Sequence, residues 1–279
     1  MRIDAHQHFW KISRNDYGWI TPANPVLYRD YLPPALESHL HKNSISKTIL
    51  VQAAPTVEET EYMLELSESA DIIAGVVGWL DLADPSYKKQ YERFCRHPKF
   101  IGLRVMIQDM GDLNTVLASA YIEALSYLAE QDLPIDLLVT ENQLPQMVRL
   151  LERIPRLRGV VDHLAKPLIA SGVMEPWRSH MAEIAKYPNI YCKLSGMVTE
   201  ADHQGWKSED FTAYIHDTLE RFGPERVMFG SDWPVCLQAA TYDEVVEILM
   251  QALKERLPAE AIEAVFGANA AKFYKLNEH

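Results

Sequence analysis

Eight short apolar runs recur along this chain with amphipathic segments between them, and this alternation constrains the fold more than any other feature. The runs cover residues 2–9, 47–53, 72–82, 100–107, 134–140, 159–164, 189–196 and 226–233. Their β-branched and apolar content suits parallel strands covered on both faces. Helical patterns lie between them. Thr56-Val57-Glu58-Glu59 and Thr241-Tyr242-Asp243-Glu244 have the Ser/Thr-x-x-Glu form of a capping box, and Val245, Leu249 and Leu253 share one face of the second helix. Further helices are expected over 34–42, 86–96, 113–131, 143–153, 175–186, 208–222 and 258–274.

Eight strand-helix units predict a (β/α)8 TIM barrel, an α/β fold that routinely reaches roughly 250 residues as one domain. The competing arrangement is a doubly wound open sheet, but the Gly-rich phosphate turn usual after its first strand is missing. No linker or composition break divides the 279 residues, so one domain is expected over 1–279. The segment 11–31, rich in Trp, Tyr, Asn and Pro, exceeds a typical connection and is expected as an elaborated first βα loop over the barrel mouth.

The chain carries 27 Lys plus Arg against 39 Asp plus Glu, and the net charge of −12 argues against nucleic acid or an anionic membrane as partner. Every apolar stretch is broken by charge before the roughly 18 residues of a membrane span. Cys95, Cys192 and Cys236 lack CxxC or zinc-finger spacing, which argues against sulfur-bound structural zinc and suits a reducing compartment. The amino terminus enters a strand-like run without the apolar segment of a signal peptide, so a cytoplasmic protein is expected.

Ionisable groups at the ends of buried strands are costly unless used, and in this fold catalytic residues project from carboxyl-terminal strand ends. Ile3-Asp4-Ala5-His6-Gln7-His8 places two imidazoles two residues apart, on one face of a strand. Val160-Val161-Asp162-His163 ends the sixth run in an imidazole, and Phe229-Gly230-Ser231-Asp232 ends the eighth in a carboxylate. A closed barrel would gather His6, His8, His163 and Asp232 around one mouth. They make a ligand set for one divalent ion such as zinc, with a position left for water. They would serve equally without metal, the imidazoles donating to a carbonyl oxygen while Asp232 takes a proton from water.

Cations stand at other strand ends: Arg104, Lys166 and Lys193 could neutralise an oxyanion or hold an oxygen-rich substrate, or could instead pair internally with Asp136 or Asp162. Gln52 and Ser195 are further candidates for substrate contacts. Trp10, Tyr17, Trp19 and Trp233 could offer apolar faces to a bound ligand or simply pack under the long loop. His39, His41, His97, His180, His203, His216 and His279 fall in helical or loop segments and are expected as ordinary surface residues.

Asp4-Ala5-His6-Gln7-His8-Phe9-Trp10, Gly102-Leu103-Arg104, Asp162-His163-Leu164-Ala165-Lys166-Pro167, Lys193-Leu194-Ser195-Gly196 and Gly230-Ser231-Asp232-Trp233-Pro234 resemble, in order and over nearly the whole chain, the amidohydrolase superfamily. Within it they resemble the sugar-lactone hydrolase branch that contains L-fuconolactonases and L-rhamnonolactonases. The resemblance implies hydrolysis of a sugar lactone to its aldonic acid, with Asp232 activating water and His6, His8 and His163 beside it. Two departures from the wider superfamily argue against a binuclear centre. The fourth strand offers Arg104 instead of a carboxylatable lysine, and the fifth, Ile135-Asp136-Leu137-Leu138-Val139-Thr140, ends without a histidine. One metal or none is therefore expected. The other readings are a zinc-dependent decarboxylase of an aromatic or unsaturated acid and a non-catalytic metabolite-binding barrel. The number of subunits is left open, a homo-oligomer included.

Overall fold

A computed structural model describes residues 1–276. Eight strands, β1 (Ile3–Gln7), β2 (Lys47–Val51), β3 (Ile73–Gly78), β4 (Phe100–Met106), β5 (Ile135–Leu138), β6 (Gly159–Val161), β7 (Ile190–Leu194) and β8 (Val227–Phe229), pair in sequential order. All seven pairings are parallel. Closure comes just beyond the last strand, where His8 N–H donates to the Trp233 carbonyl and Asp232 N–H to the His6 carbonyl, both at 2.8 Å. The seam of the barrel is thus stitched by the backbone of His6, His8, Asp232 and Trp233.

The helices α1 (Pro33–Lys42), α2 (Val57–Ser69), α3 (Tyr87–Phe94), α4 (Ser119–Glu130), α5 (Leu144–Arg153), α6 (Trp177–Ala185), α7 (Ser208–Phe222) and α8 (Tyr242–Lys254) form the outer layer. The expected capping box forms in full at Thr241, whereas at Thr56 only the forward half does, because the Glu59 carboxylate turns to the Ala53 and Ala54 N–H groups. Thr56 Oγ1 accepts the Glu59 N–H at 3.1 Å, and Thr241 and Glu244 cap each other at 3.3 and 2.7 Å. Leu50, Leu103, Val161, Leu194 and Phe229 pack with helix residues in the outer core. Ile3, Ala5, Ile49, Val51, Val77, Val160 and Met228 fill the barrel, together with Ala270, Phe273 and Tyr274 from the carboxyl-terminal segment. Burying a side chain of this size is worth about 1.5–3 kcal/mol.

Two helical expectations are corrected. The 113–131 segment starts as a short turn, Thr115–Leu117, and becomes α-helical at Ser119. Upstream the Asp112 carboxylate accepts the Asn114 N–H at 2.8 Å, a local bond that competes with helix. The 258–274 segment divides into α9 (Ala259–Glu263), a wide π turn (Ala264–Ala268) and α10 (Asn269–Phe273). The Met1–Arg2 backbone occupies the space that a Cβ at Gly267 would need.

Strand β1 carries the detail on which the site depends. Its partners advance from Asp4↔Thr48 to Gln7↔Leu50, so three steps on one strand oppose two on the other. The extra residue reverses the alternation. Ile3 and Ala5 fill the interior, and after the bulge His6 and His8 also turn inward, while Asp4 reaches out to the Tyr242 hydroxyl of α8 at 3.0 Å. The long first loop is tied down at several points. Trp10 and Tyr31 exchange backbone hydrogen bonds at 2.9 Å, Asn24 Nδ2 donates to Gln238 Oε1 at 2.6 Å, and Trp19 Nε1 donates to the Ala53 carbonyl at 2.8 Å.

Candidate active site

His6, His8, His163 and Asp232 converge at the carboxyl-terminal end of the barrel. The Nε2 atoms of His8, His6 and His163 lie 3.3, 3.7 and 3.9 Å from one oxygen, Asp232 Oδ1. All four side chains are almost fully buried, and His8, His163 and Asp232 line a cavity of about 560 Å³.

Local backbone sets each group. His163, Leu164, Ala165 and Lys166 are four consecutive residues with φ between 50° and 59°, in the left-handed region. Each costs about 1–2 kcal/mol relative to ordinary backbone. The turn is held by burial of Leu164 and Ala165 and by Trp177 Nε1, which donates to the Leu164 carbonyl at 2.6 Å. It presents His163 and Lys166 to the same cavity. Asp232 is also left-handed at φ 56°, its N–H tied to the His6 carbonyl. Gly230 leaves room for this, since a Cβ there would stand 2.7 Å from the His6 Cβ.

The protons can be partly assigned. His8 Nδ1 lies 2.7 Å from the Val51 carbonyl, which can only accept, so Nδ1 carries the proton and Nε2 turns a lone pair toward Asp232 Oδ1. A lone pair facing a carboxylate oxygen calls for something positive between them. His6 Nε2 is buried and has no hydrogen-bond partner. Ligand atoms of His6, His8 and Asp232 lie within 4.8 Å of one another, as do those of His6, Asp162 and His163. The donor set and the orphaned nitrogen therefore fit one divalent cation. Burial pushes the His163 pKa down to about 4 and holds that of His6 well below its ordinary value, the Lys193 charge adding to the latter, so neither ring is an imidazolium at neutral pH. Burial also raises the Asp232 carboxyl, but below about pH 4, where His163 takes up a proton, the charge of that ring more than offsets burial and holds the acid well below the usual carboxylate range.

Beneath these four runs a layer of paired charge. Arg104 Nε donates to Asp162 Oδ2 at 2.9 Å and Nη1 to the Gln52 carbonyl at 3.1 Å, while Nη2 lies 3.5 Å from His163 Nε2. Lys193 Nζ contacts Asp136 Oδ2, with Asp162 Oδ1 at 3.2 Å.

The other expected site residues divide. Arg104, Lys166 and Trp19 line the cavity, Arg104 while also making the internal pair; Lys166 Nζ stands 3.7 Å from Glu200 Oε1. Lys193 does not reach the cavity: it has no exposure and makes the internal ion pair that was the alternative to a substrate contact. Ser195 is equally buried, its Oγ 2.8 Å from His163 Nδ1, where it orients the ring. Gln52 is buried with both amide atoms unpartnered. Trp10 and Trp233 are packing residues. Trp10 Nε1 donates to the Arg29 carbonyl at 2.8 Å, and Trp233 meets the Phe9 and Tyr31 ring edges. Tyr17 packs against Trp10. His39, His97, His180 and His216 are half-buried, His41 and His203 are exposed, and His279 lies outside the described residues.

Sequence reasoning missed Asp16, Gln108, Asp109 and Thr199, all on the cavity wall. Each lies on a loop after a strand, and strand pattern carries no signal there. It also passed over Asp4, whose Oδ1 accepts the N–H of Ser231 at 2.8 Å and of His6 at 3.2 Å and so holds β1 and the β8 loop in register.

Comparison with known proteins agrees with this architecture. The chain is 38% identical to an L-fucono-1,5-lactonase of Burkholderia ambifaria, over 99% of this chain and 96% of that one. An L-fucono-1,5-lactonase of Burkholderia multivorans is 39% identical, over 100% and 97%. A crystal structure of an amidohydrolase from Burkholderia multivorans with bound zinc superposes with a TM-score of 0.94 at 39% identity, covering 99% of this chain and 100% of that one. Residues 3–276 match the amidohydrolase family profile, and with that match over nearly its whole length this chain belongs to the amidohydrolase family.

Proposed function

We propose that this protein is a lactonase that opens a sugar lactone, such as an L-fucono- or L-rhamnono-lactone, to its aldonic acid. The observation that carries the reading is the convergence of three imidazole nitrogens on one oxygen of Asp232 at the wall of a cavity with room for one sugar ring. The 38–39% identity to two L-fucono-1,5-lactonases favours a lactone over the carboxylic acid of a decarboxylase.

In this reading the lactone lies in the cavity against Trp19, with Lys166, Thr199, Asp16 and Asp109 available to its hydroxyls. Asp232 orients a water and takes one of its protons. The resulting hydroxide adds to the carbonyl carbon, and the Arg104 guanidinium, beside His163, steadies the charge on the former carbonyl oxygen. Collapse breaks the bond to the ring oxygen, which takes the proton held by Asp232 and becomes a hydroxyl. Burial keeps bulk water from competing for these groups. His6, His8 and Asp232 would hold one divalent metal, with zinc the first candidate, and such an ion would supply Lewis acidity toward water and carbonyl. The free thiols of Cys95, Cys192 and Cys236 accord with a reducing cytoplasm. Among the described residues no helix is long and apolar enough to cross a membrane.

The test is a panel of L-fucono-, L-rhamnono-, L-galactono- and D-arabinono-lactones, followed by acid release in weak buffer, with and without chelator, while bound metal is counted. Enzyme-dependent opening of at least one lactone is expected. Inert lactones together with carbon dioxide release from an aromatic acid would replace this reading with the decarboxylase.

A further inference from the structure

The ammonium of Lys193 lies inside the barrel with no exposure, in contact with Asp136 Oδ2, 3.2 Å from Asp162 Oδ1 and 3.1 Å from His6 Nδ1. Tyr274, near the carboxyl end of the described chain, donates its hydroxyl to the other Asp136 oxygen at 2.6 Å and steadies the assembly from below. Two groups therefore face the same His6 nitrogen, because Asp162 Oδ1 stands 3.4 Å from Nδ1 as well. Their demands are opposite. An ammonium can only donate, so it requires a lone pair on Nδ1 and, in a neutral ring, puts the proton on Nε2. A carboxylate can only accept, so it requires the proton on Nδ1 and leaves the lone pair on Nε2. The Lys193 contact has hydrogen-bond geometry, whereas Asp162 Oδ1 is left without a hydrogen-bond partner. His8 faces no such competition, its Nδ1 proton being fixed by the Val51 carbonyl.

We propose that Lys193 is a positioning residue that holds His6 as its Nε2–H tautomer in the cation-free protein, and that a divalent cation binds His6 by making Nδ1 exchange Lys193 for Asp162. The proposal rests on the reading of His6, His8 and Asp232 as a cation-capable centre. The ring stays neutral throughout; one proton moves from Nε2 to Nδ1, and no proton is gained or lost. In the first state Nε2–H faces Asp232 Oδ1, 3.7 Å away, and in the second the Nε2 lone pair is a ligand. Lys193 thus opposes cation capture and Asp162 favours it, which makes the strength of binding a property of the layer beneath the ligands.

Long-range 1H–15N spectra of the full chain with 15N-labelled histidine test this directly, His6 being assigned from the signal lost in His6→Gln. Metal-stripped protein should show His6 Nε2 protonated and Nδ1 unprotonated, and one equivalent of zinc should reverse the two. Lys193→Met should show Nδ1–H without metal and bind zinc at least tenfold more tightly. Because that change strands two carboxylates, Lys193→Met combined with Asp136→Asn repeats it with the charge balanced. His6 found as Nδ1–H in the stripped wild type, zinc that fails to bind, or zinc that binds with Nε2–H retained would each overturn the proposal. Failure of the lactonase reading would appear as inert lactones and would leave these spectra unchanged.

Discussion

A Cβ on Gly196 would stand 2.5 Å from His163 Nδ1, in space the imidazole already fills. Gly196 also has φ 61°, in the region where an L side chain costs about 1–2 kcal/mol. The preceding residue, Ser195, holds the same nitrogen at 2.8 Å. Gly196→Ala should therefore strain the backbone and displace the ring together. Thermal unfolding should show a loss of about 2 kcal/mol, and kcat should fall by about tenfold or more as the imidazole leaves its place. Wild-type turnover in a destabilised variant would show that the position of His163 does not matter to the reaction.

Asp232→Asn preserves size and the backbone bond to His6 but removes the group proposed to accept a proton. The expected loss in kcat/KM toward the best lactone of the panel is on the order of 10³, within the range that general-base catalysis supplies. Circular dichroism should show the variant folded, because the backbone bond that closes the barrel at Asp232 is kept. Near-normal lactone opening by the folded variant would remove Asp232 as the base.

The strand-helix alternation made the barrel legible, and the HxH pair, His163 and Asp232 could be read because each is an ionisable group beside an apolar run. The distances along the chain also carried information: only a closed sheet brings residues 6, 163 and 232 together. What sequence could not separate was the two faces of a buried strand end. Lys193 and Arg104 look alike as cations among apolar neighbours, yet one pairs inside the barrel and the other reaches the cavity. The β1 bulge left no mark in composition, although without it the parity of Ile3 and Ala5 would carry His6 to the outer face. The left-handed turn at His163–Lys166 contains no glycine that would have announced it. Among the aromatics, Trp10, Trp19 and Trp233 had equal claims from sequence, and tertiary packing alone sends Trp19 to the cavity.

Burial moves the His163 pKa from an unfolded value near 6.5 to about 4. Between those values the unfolded chain holds more protons than the folded one, so acid favours unfolding. The contribution is full above pH 6.5 and is lost as pH falls through 4, with a magnitude of about 3 kcal/mol. Asp4 works in the opposite direction: burial raises its pKa to about 6, and its contribution is lost as pH rises through that value. The readout is therefore a difference between proteins. Denaturant midpoints of wild type and His163→Gln, taken at pH 8 and pH 5, should show a larger acid-side loss for wild type. Equal losses would place the titration elsewhere.

Trp19 joins the first loop to the cavity wall through a single polar contact, its Nε1 donating to the Ala53 carbonyl at 2.8 Å. That carbonyl belongs to a corner held rigidly from behind, because the Glu59 carboxylate accepts the N–H groups of both Ala53 and Ala54. Together with the Asn24–Gln238 bond, the indole ties the loop to the rim of the cavity. Trp19→Phe keeps an apolar ring but removes the donor, a change worth about 0.5–1.5 kcal/mol. Because this contact involves neither Asp232 nor an imidazole, the loss should fall on binding: KM for the lactone should rise roughly two- to tenfold while kcat stays within about twofold. A fall in kcat with KM unchanged would instead make the loop part of the chemical step, and would move Trp19 from holding the substrate to shaping its transition state.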